Sequence, residues 1–134
     1  MDALNRRKMI LNLKSLRNSI FFLAAVLFSA GGSATDAAAL AVVHISDLPG
    51  QAQRVLVQIR QGGPFSYAKD GAVFGNYEQT LPRQKRGYYH EYTVKTPGSR
   101  SRGARRIVAG GVPQASGEYY YTEDHYASFR RIKE

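Results

Sequence analysis

Apolar residues recur along this chain with two different periods, and the change from one to the other falls near Gly63. Ahead of it, Ala41-Val42-Val43-His44-Ile45 reads as a short strand, and Ser46-Asp47-Leu48-Pro49 offers capping side chains and a proline at the start of a helix. Ala52, Val55, Leu56 and Ile59 then fall at i, i+3, i+4 and i+7, with Arg54, Gln58 and Arg60 turned away, until Gly62-Gly63-Pro64 ends the pattern. Beyond it the period shortens. Turn signals at Gly63-Pro64, Asp70-Gly71, Pro97-Gly98 and Gly110-Gly111 separate aromatic or β-branched runs, predicting strands over 88–95, 104–109, 118–122 and 128–132. The expected class is α+β: one main helix across one face of a twisted antiparallel sheet, the other face free to bind a ligand.

One strand breaks its own pattern. In Gly87-Tyr88-Tyr89-His90-Glu91-Tyr92-Thr93-Val94, alternation puts Tyr89, Glu91 and Thr93 on one face and Tyr88, His90, Tyr92 and Val94 on the other. Glu91 is a carboxylate among rings. Taken alone it reads as an edge charge that discourages sheets from pairing. Taken with the arginines and the histidine further along the chain it faces a cleft, with Tyr89 and Thr93 as the cleft floor and Tyr92 and Val94 beneath the helix.

The first 34 residues have another character. Arg6, Arg7, Lys8, Lys14 and Arg17 precede an uncharged apolar run from Ile20 to Phe28, and small residues succeed it from Ser29 to Ala34. A membrane span needs roughly 20 apolar residues, so this shorter run reads as a secretory signal peptide. Cleavage is expected after Ala34, within about residues 30–39, leaving a domain over 41–134 and a secreted, extracellular product.

Composition narrows the chemistry. There is no cysteine, which excludes disulfides, thiolate metal sites and a cysteine nucleophile. Net charge is +9, of which +5 stays with residues 35–134, where fourteen Lys/Arg face nine acids. A polyanionic partner suits that balance. Nine tyrosines and six phenylalanines are more rings than so small a core consumes, so some face a ligand.

Three kinds of functional side chain lie on or beside the strands: Glu91, the arginines Arg100, Arg102, Arg105 and Arg106, and His125. An RNA 2′-hydroxyl attacking its own phosphate needs a base, cations for the developing charge and an acid for the leaving 5′-oxygen. These residues match those needs. A basic, aromatic-rich module that binds RNA without cutting it stays open; it needs arginines and rings but no base–acid pair.

The ordered motifs go further. Gly63-Pro64-Phe65, Asp70-Gly71-Ala72-Val73-Phe74, Asn76-Tyr77-Glu78, Leu81-Pro82, the Gly87–Val94 strand, Thr96-Pro97-Gly98, Arg102-Gly103, Arg105-Arg106-Ile107 and Tyr120–Ala127 resemble the microbial guanyl-specific ribonucleases. That family includes barnase and the fungal guanyl ribonucleases, and the small secreted actinobacterial branch is the most similar. The resemblance spans about Val42 to Ile132 and implies the microbial ribonuclease fold. It implies Glu91 as catalytic base, His125 as general acid, Arg102 and Arg106 as phosphate-binding arginines, and Tyr126 closing over base or phosphate. It also implies guanine recognition by the loop Phe74, Gly75, Asn76, Tyr77 and Glu78. Glu78 can accept from guanine N1–H and the 2-amino group together, donors that adenine lacks.

The implied activity is endonucleolytic cleavage of single-stranded RNA 3′ to guanosine, through a 2′,3′-cyclic phosphate, by a monomer without metal or cofactor. An acidic protein inhibitor of the barstar type is an expected partner. The chain also departs from the pattern. His44 stands where disulfide-bearing relatives have a cysteine, and Gly110–Gly117 is longer and richer in glycine. Lys85, Arg86, Arg130 and Arg131 add charge outside the motifs, which reads equally as a non-specific RNA track or as a solvated surface.

Overall fold

The computed structural model describes residues 39–134; the expected signal segment, residues 1–34, lies outside the described residues. The strands are β1 (Ala41–His44), β2 (Val73–Phe74), β3 (Tyr89–Thr93), β4 (Arg106–Gly110), β5 (Tyr119–Thr122) and β6 (Arg130–Lys133). A 3₁₀ turn, Ile45–Asp47, precedes the single α-helix among the described residues, α1 (Gly50–Gln61).

The helix conforms to its sequence pattern. Ala52, Leu56 and Ile59 are buried and Val57 is half exposed, as a 3.6-residue period requires. Its start differs from expectation. Pro49 occupies the N-cap without any side-chain cap, and its carbonyl accepts from Ala52 (2.8 Å) and Gln53 (3.1 Å), while Asp47 is used up in the 3₁₀ turn. Gly62 ends the helix at φ +82°, where a side chain is strained, and Gly63 N–H returns to the Gln58 carbonyl at 2.9 Å.

All six strands form one sheet in the order β1-β6-β5-β4-β3-β2. From β2 to β6 neighbours run antiparallel as expected, but β1 joins β6 in parallel, so the sheet is mixed. The two-residue β2 was not legible as a strand. β1 and β6 bring His44 beside Glu134. His44 Nδ1 lies 3.2 Å from the Glu134 carbonyl oxygen, and Arg60 reaches the Glu134 carboxylate at 2.8 Å. Polar contacts thus tie β1, the helix and the end of β6 together.

Two hydrophobic clusters sandwich the sheet. Tyr92, Val94, Ile107, Ala109, Tyr119 and Tyr121 pack with Ala52, Leu56 and Ile59 on the helix side. On the opposite side Tyr89, Val108 and Tyr120 pack with Leu81 and Phe129, and Tyr126, Phe74 and Tyr88 lean against them. This second face is therefore not bare. Strands β4 and β5 are buried at every residue, so apolar side chains on both faces need cover. Tyr88 also sits on the face opposite to that expected. Gly87 turns at φ +91° and Tyr88 N–H bonds back to Lys85, so the alternation begins only at Tyr89.

Candidate active site

Glu91, mid-β3, is paired along both edges of its strand. It lies opposite Val108 of β4, and on the other side its N–H meets the Ala72 carbonyl (2.9 Å) and its carbonyl meets Gly71 N–H (2.8 Å). Its side chain is 13% exposed. Tyr126 donates its hydroxyl to Oε2 at 2.7 Å, and Arg102 Nη2 lies 3.4 Å from Oε1. Alternation aims the carboxylate away from the helix, on the face of Tyr89 and Thr93, as the sequence pattern requires.

Arg102 rests mainly on Thr93. Its Nε and Nη2 donate to Thr93 Oγ1 at 3.1 and 2.7 Å, which holds the guanidinium beside Glu91, with which Nη2 also forms an ion pair at 3.4 Å. Thr93 was expected only as cleft floor. It is also the rest that holds an arginine. At the start of β4, Arg106 pairs with Thr93 across the sheet and is only 2% exposed. Its Nη1 donates to the Gly103 and Arg105 carbonyls (2.8 and 2.7 Å), and its guanidinium lies 5.9 Å over the Tyr126 ring. Nε has no partner, and no described carboxylate forms an ion pair with Arg106.

His125 and Tyr126 reach the site on a strained turn. Both have left-handed backbones, φ +54° and +71°, a conformation that costs side-chain-bearing residues on the order of 1 kcal/mol or more each. Two clamps hold it. His125 N–H bonds to the Ala104 carbonyl at 3.1 Å, and Tyr126 N–H bonds to Thr122 Oγ1 at 3.2 Å. Asp124 accepts from the Ser128 hydroxyl and N–H and from the Thr122 hydroxyl, which together hold its carboxyl down to about 2. No sequence expectation covered this anchoring; the Thr-x-Asp-x-x-x-Ser spacing is its signal. The His125 ring is exposed and tilted against Tyr126, centroids 4.9 Å apart. Burial, then the bond to Glu91, pushes the Tyr126 hydroxyl up to about 12, so it remains a donor at neutral pH.

The loop after β2 is preshaped. The Phe74 ring stacks on Tyr126 at 4.9 Å and 26°, joining this loop to the Glu91 cluster. A Cβ on Gly75 would collide with the Tyr77 ring, so that ring can fold over the backbone only at a glycine. Asn76, at φ +50°, spends its side chain on the loop itself, its amide donating to the Leu81 carbonyl (3.0 Å) and accepting from Leu81 N–H (3.1 Å). The loop thereby presents Tyr77, 81% exposed, and Glu78, whose carboxylate makes no hydrogen bond among the described residues. Asp70 supports the cleft from behind: Thr93 N–H donates to it at 2.7 Å and Tyr67 N–H at 3.1 Å.

The site therefore gathers one partly buried carboxylate, two arginines and a tyrosine, flanked by an exposed imidazole and by a loop with a free carboxylate and an open ring.

The same fold recurs in known proteins. A family model described as ribonuclease matches residues 32–133. Guanyl-specific ribonuclease Sa3 of Kitasatospora aureofaciens is 59% identical over 90 residues, 67% of this chain and 62% of that protein. Guanyl-specific ribonuclease St of Saccharopolyspora erythraea is 52% identical over 95 residues, 71% of this chain and 90% of that protein. The chain thus spans less than two thirds of the first relative and most of the second. Ribonuclease Sa2, solved in complexes with mononucleotides, superposes with TM-score 0.67 at 50% identity, over 72% of this chain and 96% of that one. A second Sa2 structure, with guanosine-2′-cyclophosphate, gives TM-score 0.65 at 49% identity, over 71% and 97% of the two chains. With a family match across residues 32–133 and identities above half, this chain belongs to the ribonuclease family.

Proposed function

We propose that the protein is a guanyl-specific endoribonuclease that cleaves single-stranded RNA 3′ to guanosine. Glu91 removes the proton of the guanosine 2′-hydroxyl, whose oxygen attacks phosphorus. The bond to the 5′-oxygen breaks and His125 supplies that oxygen's proton, leaving a 2′,3′-cyclic phosphate. Water then opens the ring with the two roles exchanged, giving a 3′-phosphate. Arg102, Arg106 and the Tyr126 hydroxyl meet the negative charge that develops on the phosphoryl oxygens. The Phe74–Glu78 loop reads the base: Glu78 accepts from guanine N1–H and the 2-amino group, backbone N–H groups of the loop address O6, and Tyr77 stacks.

The observation that carries this reading is Arg106. A guanidinium 2% exposed, with Nε unpartnered and no described carboxylate paired to it, is costly unless an anion comes to it. The phosphate of a substrate whose 2′-hydroxyl lies at Glu91 is such an anion. Support for guanosine comes from the relatives, named guanyl-specific, and from Sa2, solved with guanosine-2′-cyclophosphate and with 3′-GMP.

The enzyme acts as a monomer after export directed by residues 1–34, and an acidic inhibitor of the barstar type would address its cationic cleft. Supporting export, the family match opens at residue 32, beyond the basic and apolar leader. Digestion of a mixed-sequence RNA in EDTA, with end mapping, tests the activity. Cuts after guanosine with cyclic phosphate ends are expected; cuts after every base, or direct 5′-phosphate products, would overturn it.

A further inference from the structure

If the proposed chemistry holds, the substrate's polarity on the protein is set by it. The base serves the nucleoside that keeps the phosphate and the acid serves the one that leaves, so RNA runs 5′ to 3′ from Glu91 toward His125. His125 is tied to Ala104, and Arg102 to Thr93, both at the C-terminal end of β3. Nucleotides on the 5′ side of the guanosine therefore lie toward Tyr89, about 7 Å back along the strand from Glu91.

That flank carries unspent positive charge on a fixed ledge. Arg83, Lys85 and Arg86 are all exposed in the loop between Leu81 and Gly87, and none belongs to an ion pair among the described residues. The loop is pinned rather than trailing. Asn76 binds both backbone groups of Leu81, the Tyr89 hydroxyl donates to the Pro82 carbonyl at 2.5 Å, and Tyr88 N–H meets the Lys85 carbonyl at 3.2 Å. The clamps that shape the base-reading loop thus also fix these cations beside it.

Sheet register adds a fourth. Glu91, Val108, Tyr120 and Arg131 lie opposite one another across β3, β4, β5 and β6, so Arg131 emerges on the Glu91 face, about 14 Å away. Its guanidinium lies 5.8 Å over the Tyr120 ring. Glu118 nearby is taken by the Tyr88 and Tyr120 hydroxyls at 2.5 and 2.6 Å and forms no ion pair among the described residues. Arg130, by contrast, sits over Tyr121 on the helix face and pairs with Glu123 at 3.6 Å. The charge that looks like one run in sequence is split by the sheet, and only part of it can track the RNA.

We propose that Arg83, Lys85, Arg86 and Arg131 form a phosphate subsite for nucleotides 5′ to the cleaved guanosine. The subsite selects longer RNA with upstream sequence. Each phosphate contact on a single strand adds about 0.7 to the slope of log affinity against log salt. Losing two contacts in Lys85→Glu/Arg86→Glu therefore lowers the slope by about 1.4, which is about 25-fold in affinity over a tenfold range of salt.

Three substrates decide it: the dinucleotide GpC, the same step with three uridines added 5′, and the same step with three uridines added 3′. Wild type is expected to gain kcat/KM from the 5′ extension, and the double variant to lose that gain while cleaving GpC and the 3′-extended substrate as wild type does. Binding of 2′-deoxyguanosine versions, which cannot cyclise, should show by fluorescence anisotropy the same loss in the double variant, confined to the 5′ extension. Cleavage of GpC with no gain from the 5′ extension, or an equal loss on both extensions in the double variant, overturns the subsite and leaves the ribonuclease reading intact. No cleavage of GpC, with 5′-selective binding that the double variant abolishes, overturns the ribonuclease reading and leaves the subsite standing.

Discussion

Replacing Glu91 by glutamine removes one proton acceptor and little else. Glutamine has nearly the same volume, and its carbonyl oxygen can still accept from the Tyr126 hydroxyl that now lies 2.7 Å from Oε2. Arg102 keeps both bonds to Thr93 and loses only a 3.4 Å contact. With Arg102 28% exposed, that contact is worth about 1 kcal/mol at most, so the variant folds and its Tm falls by a few degrees. Turnover should fall much further. A positioned base contributes about 10²- to 10⁴-fold, or about 3–5 kcal/mol of barrier. The neighbouring carboxylates are engaged elsewhere, Glu78 by the guanine in the proposed complex. Asp70 is occupied by two backbone N–H groups, Asp124 by Ser128 and Thr122, and Glu118 by two tyrosine hydroxyls. The loss is therefore expected near the upper end of that range. Single-turnover cleavage of GpC measures it, with anisotropy of a non-cleavable guanosine oligonucleotide for binding and near-UV circular dichroism for the fold. Parental turnover together with parental affinity would refute the assignment.

Glu78→Gln should cost far more on GpC than on ApC, because the carboxylate answers two donors that only guanine has; polar sites of this kind reach discrimination of about 10⁴, and an equal loss on both dinucleotides would remove the loop as reader. Asp124 sets an acid limit. Its carboxyl is held down to about 2 chiefly by Ser128, so its stabilisation is full above its unfolded value of about 3.9 and is lost as pH falls toward 2. Asp124→Asn should flatten the acid limb of stability in urea melts, and parallel curves for the two proteins would contradict this. At the alkaline end, burial pushes Tyr89 and Tyr126 up to about 12. Folding favours their protonated forms, so stability is complete below about pH 10 and falls as pH climbs toward 12. Phenolate absorbance from these rings should appear together with the loss of far-UV dichroism; its appearance in a protein with native dichroism would be the contrary result.

The parts of this architecture readable from sequence are those set by a local period. Ala52, Leu56 and Ile59 mark their helix because a core-facing stripe must repeat every 3.6 residues, and Glu91, Tyr89 and Thr93 share a face because a strand alternates. Reading failed where geometry changes within a residue or two. Gly87 turns the chain just before Tyr88, which reverses that ring's face, and β2 is too short to display a period. It failed also where partners are remote, as in the parallel pairing of β1 with β6, which joins opposite ends of the domain. The site was legible as a set of residue types and motifs. Its supports were not, because Asn76 and Asp124 serve by bonding backbone, and polar turn residues look the same in sequence whether or not they brace anything.

Hydrogen bonding decides against Glu91 as an edge guard. A guarding charge belongs on a strand with an unpaired edge, where it discourages the approach of another chain. Glu91 has no such edge: β4 pairs one side, and both its backbone groups are taken on the other by Gly71 and Ala72. Nor does its carboxylate face bulk solvent, being 13% exposed beneath Tyr126 and beside Arg102. A structural role as counter-ion would require it to neutralise the buried guanidinium nearby, yet Arg106 bonds to carbonyls and leaves Nε open. Glu91 and Arg106 are thus not paired with each other: the acid keeps a 3.4 Å contact with Arg102 and accepts from Tyr126, while the buried guanidinium leaves Nε open. A protein gains no stability from holding an unneutralised cation in the same cleft as a carboxylate that could neutralise it. The arrangement makes sense when a third group comes between them, offering a proton to one and negative charge to the other, and a ribose 2′-hydroxyl beside its own phosphate does both.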